Sequence, residues 1–106
     1  MIMKPKTSYL NNQVNVAVQV LPMAPGLDAY LVVDKAIEVI QNSGVVYRVT
    51  PFETVMEGTY DQLMQVVKEV QEVCYQSGAS QVLCYVKIQS RAQNDVTIMD
   101  KMEKYE

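Results

Sequence analysis

Between Thr50 and Gly58 the chain reads T-P-F-E-T-V-M-E-G, a stretch in which two carboxylates, two hydroxyls and an aromatic ring crowd together. Paired carboxylates such as Glu53 and Glu57 do general acid–base work when their surroundings hold their pKa values apart. They also need a nucleophile or an electrophile clamp beside them, and none is near. The chain has no His, so a zinc site or a Cys/His nucleophile has nothing to be built from. Its two thiols, Cys74 and Cys84, fall at apolar positions of a helical and a strand pattern. That fits buried thiols in a reducing compartment. The residues point away from catalysis, with no catalytic or metal-binding set. Two readings of the stretch stay open: an acidic hairpin that keeps a sheet edge soluble, or a carboxylate held to meet a ligand.

The elements that would position these groups follow from periodicity. Val14, Val16, Val18 and Val20 alternate with Asn15, Ala17 and Gln19, the mark of a strand with one strongly buried face. L-P-M-A-P-G ends it, because prolines cannot donate to a ladder. Asp28 is the N-cap of a helix with an apolar stripe of Val33, Ala36, Ile37 and Ile40, and Ser43-Gly44 stops it. V-V-Y-R-V-T is a second strand with Val45, Tyr47 and Val49 on one face. Pro51 breaks it, and T-V-M-E pairs back as a hairpin. Thr59 and Gln62 form a capping box for a helix whose stripe is Leu63, Val66, Val67, Val70 and Val73 or Cys74. After Ser77-Gly78 a fourth strand buries Val82, Cys84, Val86 and Ile88. A polar turn over 91–95 leads to a short helix carrying Ile98, Met102 and Tyr105.

The order βαββαβ predicts an α+β, ferredoxin-like domain over 14–106, preceded by a flexible or weakly docked tail over 1–13. Right-handed crossovers place two helices on one face of a four-stranded antiparallel sheet, with the short C-terminal helix left over. The other face carries Ala17, Gln19, Leu83, Tyr85 and Lys87, too apolar to be wholly solvated. A chain of 106 residues with 49% apolar and 20% charged residues buries a core without staples. Net charge is −3 and no basic run exists, which disfavours nucleic acid, since phosphate neutralisation supplies most of such affinity. No apolar run is long enough to span a membrane, and the N-terminal residues lack a secretory apolar region; the expected setting is the cytoplasm.

This topology hosts many functions. An acylphosphatase-like enzyme needs an Arg in its first loop, and M-A-P-G-L-D has none. An RNA-binding module needs aromatics on the central strands, and Tyr85 alone is insufficient. Three stretches stand out: V-L-P-M-A-P-G-L-D-A-Y after the first strand, I-Q-N-S-G-V-V-Y-R-V-T-P-F-E-T-V-M-E-G across the hairpin, and V-K-I-Q-S-R near the end. Through them the chain resembles the small single-domain thiamine-binding proteins of the YkoF-like family. The family turn commonly has methionine and glycine where this chain has Phe52 and Glu53. A glycine there permits close backbone approach, so Glu53 reshapes whatever pocket the family shares.

The resemblance implies a non-catalytic binder of thiamine or its aminopyrimidine moiety, with no cofactor and with the ligand held at the hairpin. Glu57 matches the family's E-G position and is the expected carboxylate, accepting from the exocyclic amine. Tyr47 and Phe52 are the expected aromatic walls, Thr50 and Thr54 the hydroxyls, and Met23 a further contact. Each has a plainer role available. Glu57 suits a solvated turn, Tyr47 the core, Phe52 a plug under the hairpin, and the threonines their strands. A helix N-terminus behind Ala24-Pro25-Gly26 offers N–H groups that would extend recognition to thiamine phosphates. Self-association to a dimer or tetramer is expected from the open sheet face. The alternatives are an oligomeric regulatory or structural interaction protein, or a sensor of a different small molecule.

Overall fold

The alternating valines of the first strand organise the architecture. In the computed structural model, which describes residues 11–106, strand β1 (Val14–Met23) is central and Val14, Val16, Val18 and Val20 are all buried. It is followed by helix α1 (Ala29–Asn42), strands β2 (Val46–Val49) and β3 (Thr54–Gly58), helix α2 (Tyr60–Gln76) and strand β4 (Gln81–Gln89). A short helix α3 (Ile98–Met102) runs into a 3-10 turn at Glu103–Tyr105. The sheet order is β2-β3-β1-β4, antiparallel throughout, which is the expected α+β ferredoxin-like arrangement. Most of the tail expected over 1–13 lies outside the described residues. No helix among those described is long and apolar enough to cross a membrane.

Local chemistry accounts for each boundary. Asp28 Oδ1 accepts from the N–H groups of Tyr30 and Leu31, capping α1, and Thr59 Oγ1 accepts from Gln62 N–H, capping α2. Both helices end at a serine followed by a glycine of positive φ, Gly44 at 83° and Gly78 at 108°, conformations that other residues enter only with strain. Helix α1 buries Val32, Ala36 and Ile40, so its stripe is centred on Val32 rather than Val33. Helix α2 buries Leu63, Val66, Val67, Val70 and Cys74. Each Val, Leu and Ile among them contributes about 1.5–3 kcal/mol when fully buried. On β4, Val82, Cys84 and Val86 are half-buried and Ile88 is exposed, short of the burial expected. As an edge strand, β4 has helix cover from one side only.

Two further features position the functional groups. The first is register. Strand β3 meets β1 only from Val14↔Gly58 to Val18↔Thr54, while β4 accompanies β1 as far as Met23↔Gln81. The second is the C-terminal segment, which crosses the sheet face away from α1 and α2. Val96 N–H donates to the Gln13 carbonyl, Asn15 Nδ2 to the Val96 carbonyl, and Ile98 N–H to Glu57 Oε1. Lys101 Nζ donates to Gln89 Oε1, and Arg48 pairs with Glu106. The segment thus straps all four strands, and under it Asn15 is only 3% exposed.

Burial pushes the Cys74 thiol up, with a smaller contribution from the neighbouring Cys84, and burial pushes Cys84 up as well. A thiol raised on folding holds its proton longer than in the unfolded chain. Its contribution to stability is complete below the ordinary thiol range and is lost as pH rises through it toward the folded value. The melting temperature is therefore expected to fall from about pH 8.5 upward. Thermal melts across that range should show a shallower fall in a Cys74→Ala, Cys84→Ala double variant. Equal slopes in the two proteins would reject this origin.

Candidate functional site

Beyond Val18 the hairpin turns away from β1, and α1 does not close the gap. The result is a cavity of about 460 Å3 between the free edge of β1, the face of α1 from Ala29 to Ile40 and the hairpin tip. That volume suits a small organic ligand. Val18, Val20 and Pro22 form its floor on one side, Val33 and Ile37 of α1 the other, and residues 50–54 its rim. The wall is mostly apolar. Among the described residues, Glu53 is the only charged one that lines it.

The expected site residues divide between two faces of the sheet. Thr50, Phe52 and Thr54 line the cavity; Met23, Tyr47 and Glu57 do not. A strand's side chains alternate, so Thr54 and Met56 share the helix face while Glu57 points to the other. There its Oε1 accepts from Ile98 N–H at 2.7 Å and fastens the strap. Tyr47 lies on the helix face opposite Met56, further along the hairpin from its tip. Met23 closes β1 at the far end, opposite Gln81.

The polar groups of the rim are largely engaged. Thr50 Oγ1 donates to the Glu53 carbonyl at 2.7 Å and accepts from Glu53 N–H at 3.1 Å, and Thr50 N–H also donates to that carbonyl. The hydroxyl therefore shapes the turn that carries Pro51 and Phe52. Glu53 Oε2 lies 3.0 Å from Lys87 Nζ on β4, tying the tip back across the sheet. Thr54 is buried, at the junction of cavity and ladder. The N-terminus of α1, a candidate phosphate site by sequence, is occupied by its own Asp28 carboxylate. That charge opposes an anion rather than receiving one.

Two aromatic residues flank the opening. Phe52 is 78% exposed at the hairpin tip, and Tyr30 is 86% exposed in the first turn of α1. Tyr30 lines the cavity and was missed in the sequence. Its signal was there: an aromatic directly after the Asp28-Ala29 cap has no core to enter.

Comparison with known proteins gives concordant results. The profile of the family described as thiamine-binding protein matches residues 16–106. A UPF0045 protein of Clostridium perfringens is 44% identical over 91 residues, covering 86% of this chain and 95% of its own length. Among solved structures, a domain of unknown function (DUF77) from Bacillus cereus is similar at a TM-score of 0.87 with 45% identity, over 92% of this chain and 94% of that one. A Thermotoga maritima protein described as a candidate for thiamine biosynthesis or salvage is similar at a TM-score of 0.80 with 32% identity, over 89% and 99% of the two chains.

The placement of Glu57 carries its own expectation. Glu57→Ala removes the acceptor that holds Ile98 N–H and should cost about 1–3 kcal/mol of stability. Hydrogen exchange should then quicken at Ile98 more than in the α1–β1 core. Unchanged protection at Ile98 would show that the strap does not depend on this carboxylate.

Proposed function

The chain belongs to the thiamine-binding protein family, and from that premise we propose that it binds thiamine, or its aminopyrimidine moiety, in the cavity at the β2–β3 hairpin without turning it over. One observation carries the reading: the hairpin tip stands off from α1 around an open cavity instead of packing shut against it. The apolar floor suits the flat ring faces, and Phe52 and Tyr30 offer aromatic surfaces to a cationic thiazolium at the mouth. Thr54 offers a hydroxyl, and Thr50 shapes the rim. Glu53, rather than Glu57, is the carboxylate at the rim, where it is paired with Lys87, and no Lys or Arg among the described residues lines the wall. The acidic, self-capped surroundings favour thiamine over its phosphates. Tyr47 and Met23 support the strands that frame the site, and the free thiols Cys74 and Cys84 fit a cytosolic setting.

Calorimetric titration with thiamine, its pyrimidine alcohol and its phosphates tests this. Thiamine should bind saturably and more tightly than the phosphates, with no product formed. Thr54→Val should weaken it by about 0.5–1.5 kcal/mol. Absence of heat and of any thermal shift with all ligands would overturn the binding claim, and steady product formation would overturn the non-catalytic one.

A second surface supports self-association. The strap reaches only one end of the sheet face, and beyond it Leu21, Leu83 and Tyr85 stay exposed on neighbouring strands. Such a patch is covered at least cost by a second copy, giving a dimer or a tetramer of paired dimers. Light scattering behind a sizing column should give a mass above the monomer at micromolar protein. Leu83→Lys with Tyr85→Lys should lower it, and a monomer mass for the parent protein would reject the assembly.

A further inference from the structure

We propose that the main-chain edge of β1 at Val20 reads the ligand in this cavity, its N–H and C=O pairing together with an aminopyrimidine. The inference rests on the reading of the cavity as a thiamine pocket and specifies what recognises the ring. It starts from the register. Beyond the Val18↔Thr54 pair, β1 keeps β4 on one side and has no strand on the other. In an antiparallel strand, the N–H and C=O of one residue point to the same side, and successive residues alternate between sides.

One observation and strand alternation show which residues face the cavity. The Met23 carbonyl accepts from Ser80 N–H at 2.9 Å and from Ser80 Oγ at 3.2 Å, so Met23 faces the β4 side. Pro22, one residue before Met23 in an unbroken register, faces the opposite way by alternation, which suits a residue with no N–H to give a ladder. The same parity turns Val20 toward the cavity, as it turns Val18 toward β3. Val20 therefore presents one donor and one acceptor to the cavity it lines, and Pro22 beyond it presents an acceptor only.

A buried main-chain pair left unbonded costs about as much as a lost hydrogen bond, so the edge calls for an occupant. The hairpin tip supplies none, because Thr50 Oγ1, Thr50 N–H and the Glu53 carboxylate are already engaged. The next strand position, about 4.8 Å from β1, is bounded by the 50–53 turn and holds no strand beyond Val18↔Thr54. A flat ring fits there. The aminopyrimidine of thiamine sets a ring nitrogen acceptor beside an exocyclic amine donor, the complement of the Val20 N–H and C=O. The 4-oxo analogue reverses both groups, facing donor to donor and acceptor to acceptor. Recognition by such an edge is charge-neutral and is independent of the side chain at position 20.

The test uses the full chain, thiamine, its 4-oxo analogue, and two variants. Val20→Pro removes the N–H on the side away from β4, and an amide-to-ester replacement at Val20, made by semisynthesis, removes it without altering the side chain. The parent protein should bind the 4-oxo analogue at least about tenfold more weakly than thiamine, and either variant should lose about tenfold in thiamine affinity with its circular dichroism retained. If the proline variant does not fold, the ester carries the test. Equal affinity for the two ligands, with unchanged thiamine affinity in the ester, overturns the edge pairing while leaving the pocket in place. Failure of the parent protein to bind thiamine overturns the pocket and the edge pairing together.

Discussion

The early end of one ladder governs the rest of the molecule. β1 runs on alongside β4 for several residues after β3 has left it at Val18↔Thr54. A sheet edge exposed in this way normally has to be blunted or covered. Here α1 and the turn at 50–53 stand around it without filling it, and the space that remains is the cavity. Had β3 continued along β1, Val20 would have had a strand partner and Phe52 would have been carried away from α1. The site is a by-product of unequal strand lengths, and the side chains at its rim refine it.

Period-two alternation then assigns the two sheet faces to different work. The helix face holds the aliphatic core and opens into the cavity at its upper end. The opposite face takes the strap at one end and leaves Leu21, Leu83 and Tyr85 uncovered at the other. Glu57 and Thr54 are near neighbours in the chain yet belong to these separate faces, one holding a backbone amide and the other lining a pocket. Near the cavity, Asp28 caps a helix, Thr50 closes a turn and Glu53 meets Lys87.

Much of this was legible in the residues. The valines of β1, the Asp28 and Thr59 caps and the paired Ser-Gly stops each act through local chemistry, and they appear where periodicity and capping rules put them. Thr50, Phe52 and Thr54 also came together, because a tight hairpin leaves them little freedom to separate. Glu57 was misleading for a physical reason. Its place in a motif says nothing of which face it occupies until the register with β1 is known, and register is a long-range property. Tyr30 is less legible, because a helix stripe marks what is buried and Tyr30 stays exposed. The strap was less legible still, since its bonds from Asn15 and Glu57 to 96–98 join distant parts of the chain.

That last feature bears on how the chain reaches its native state. The Asn15–Val96 bond closes a loop of nearly the whole domain, its ends 81 positions apart. β1 is central in space but first in order, and its longest ladder is with β4, the last strand to be made. During synthesis the opening strand must therefore wait, flanked on one side only by the hairpin, until the C-terminal third has left the ribosome. Contacts of such long sequence separation are entropically expensive to form early and slow folding. Until the strap closes, Asn15 and Ala17 stay open to water. In a nascent chain β1 is a valine-rich strand with an unsealed edge, so its main exposure to mispairing comes before folding is complete.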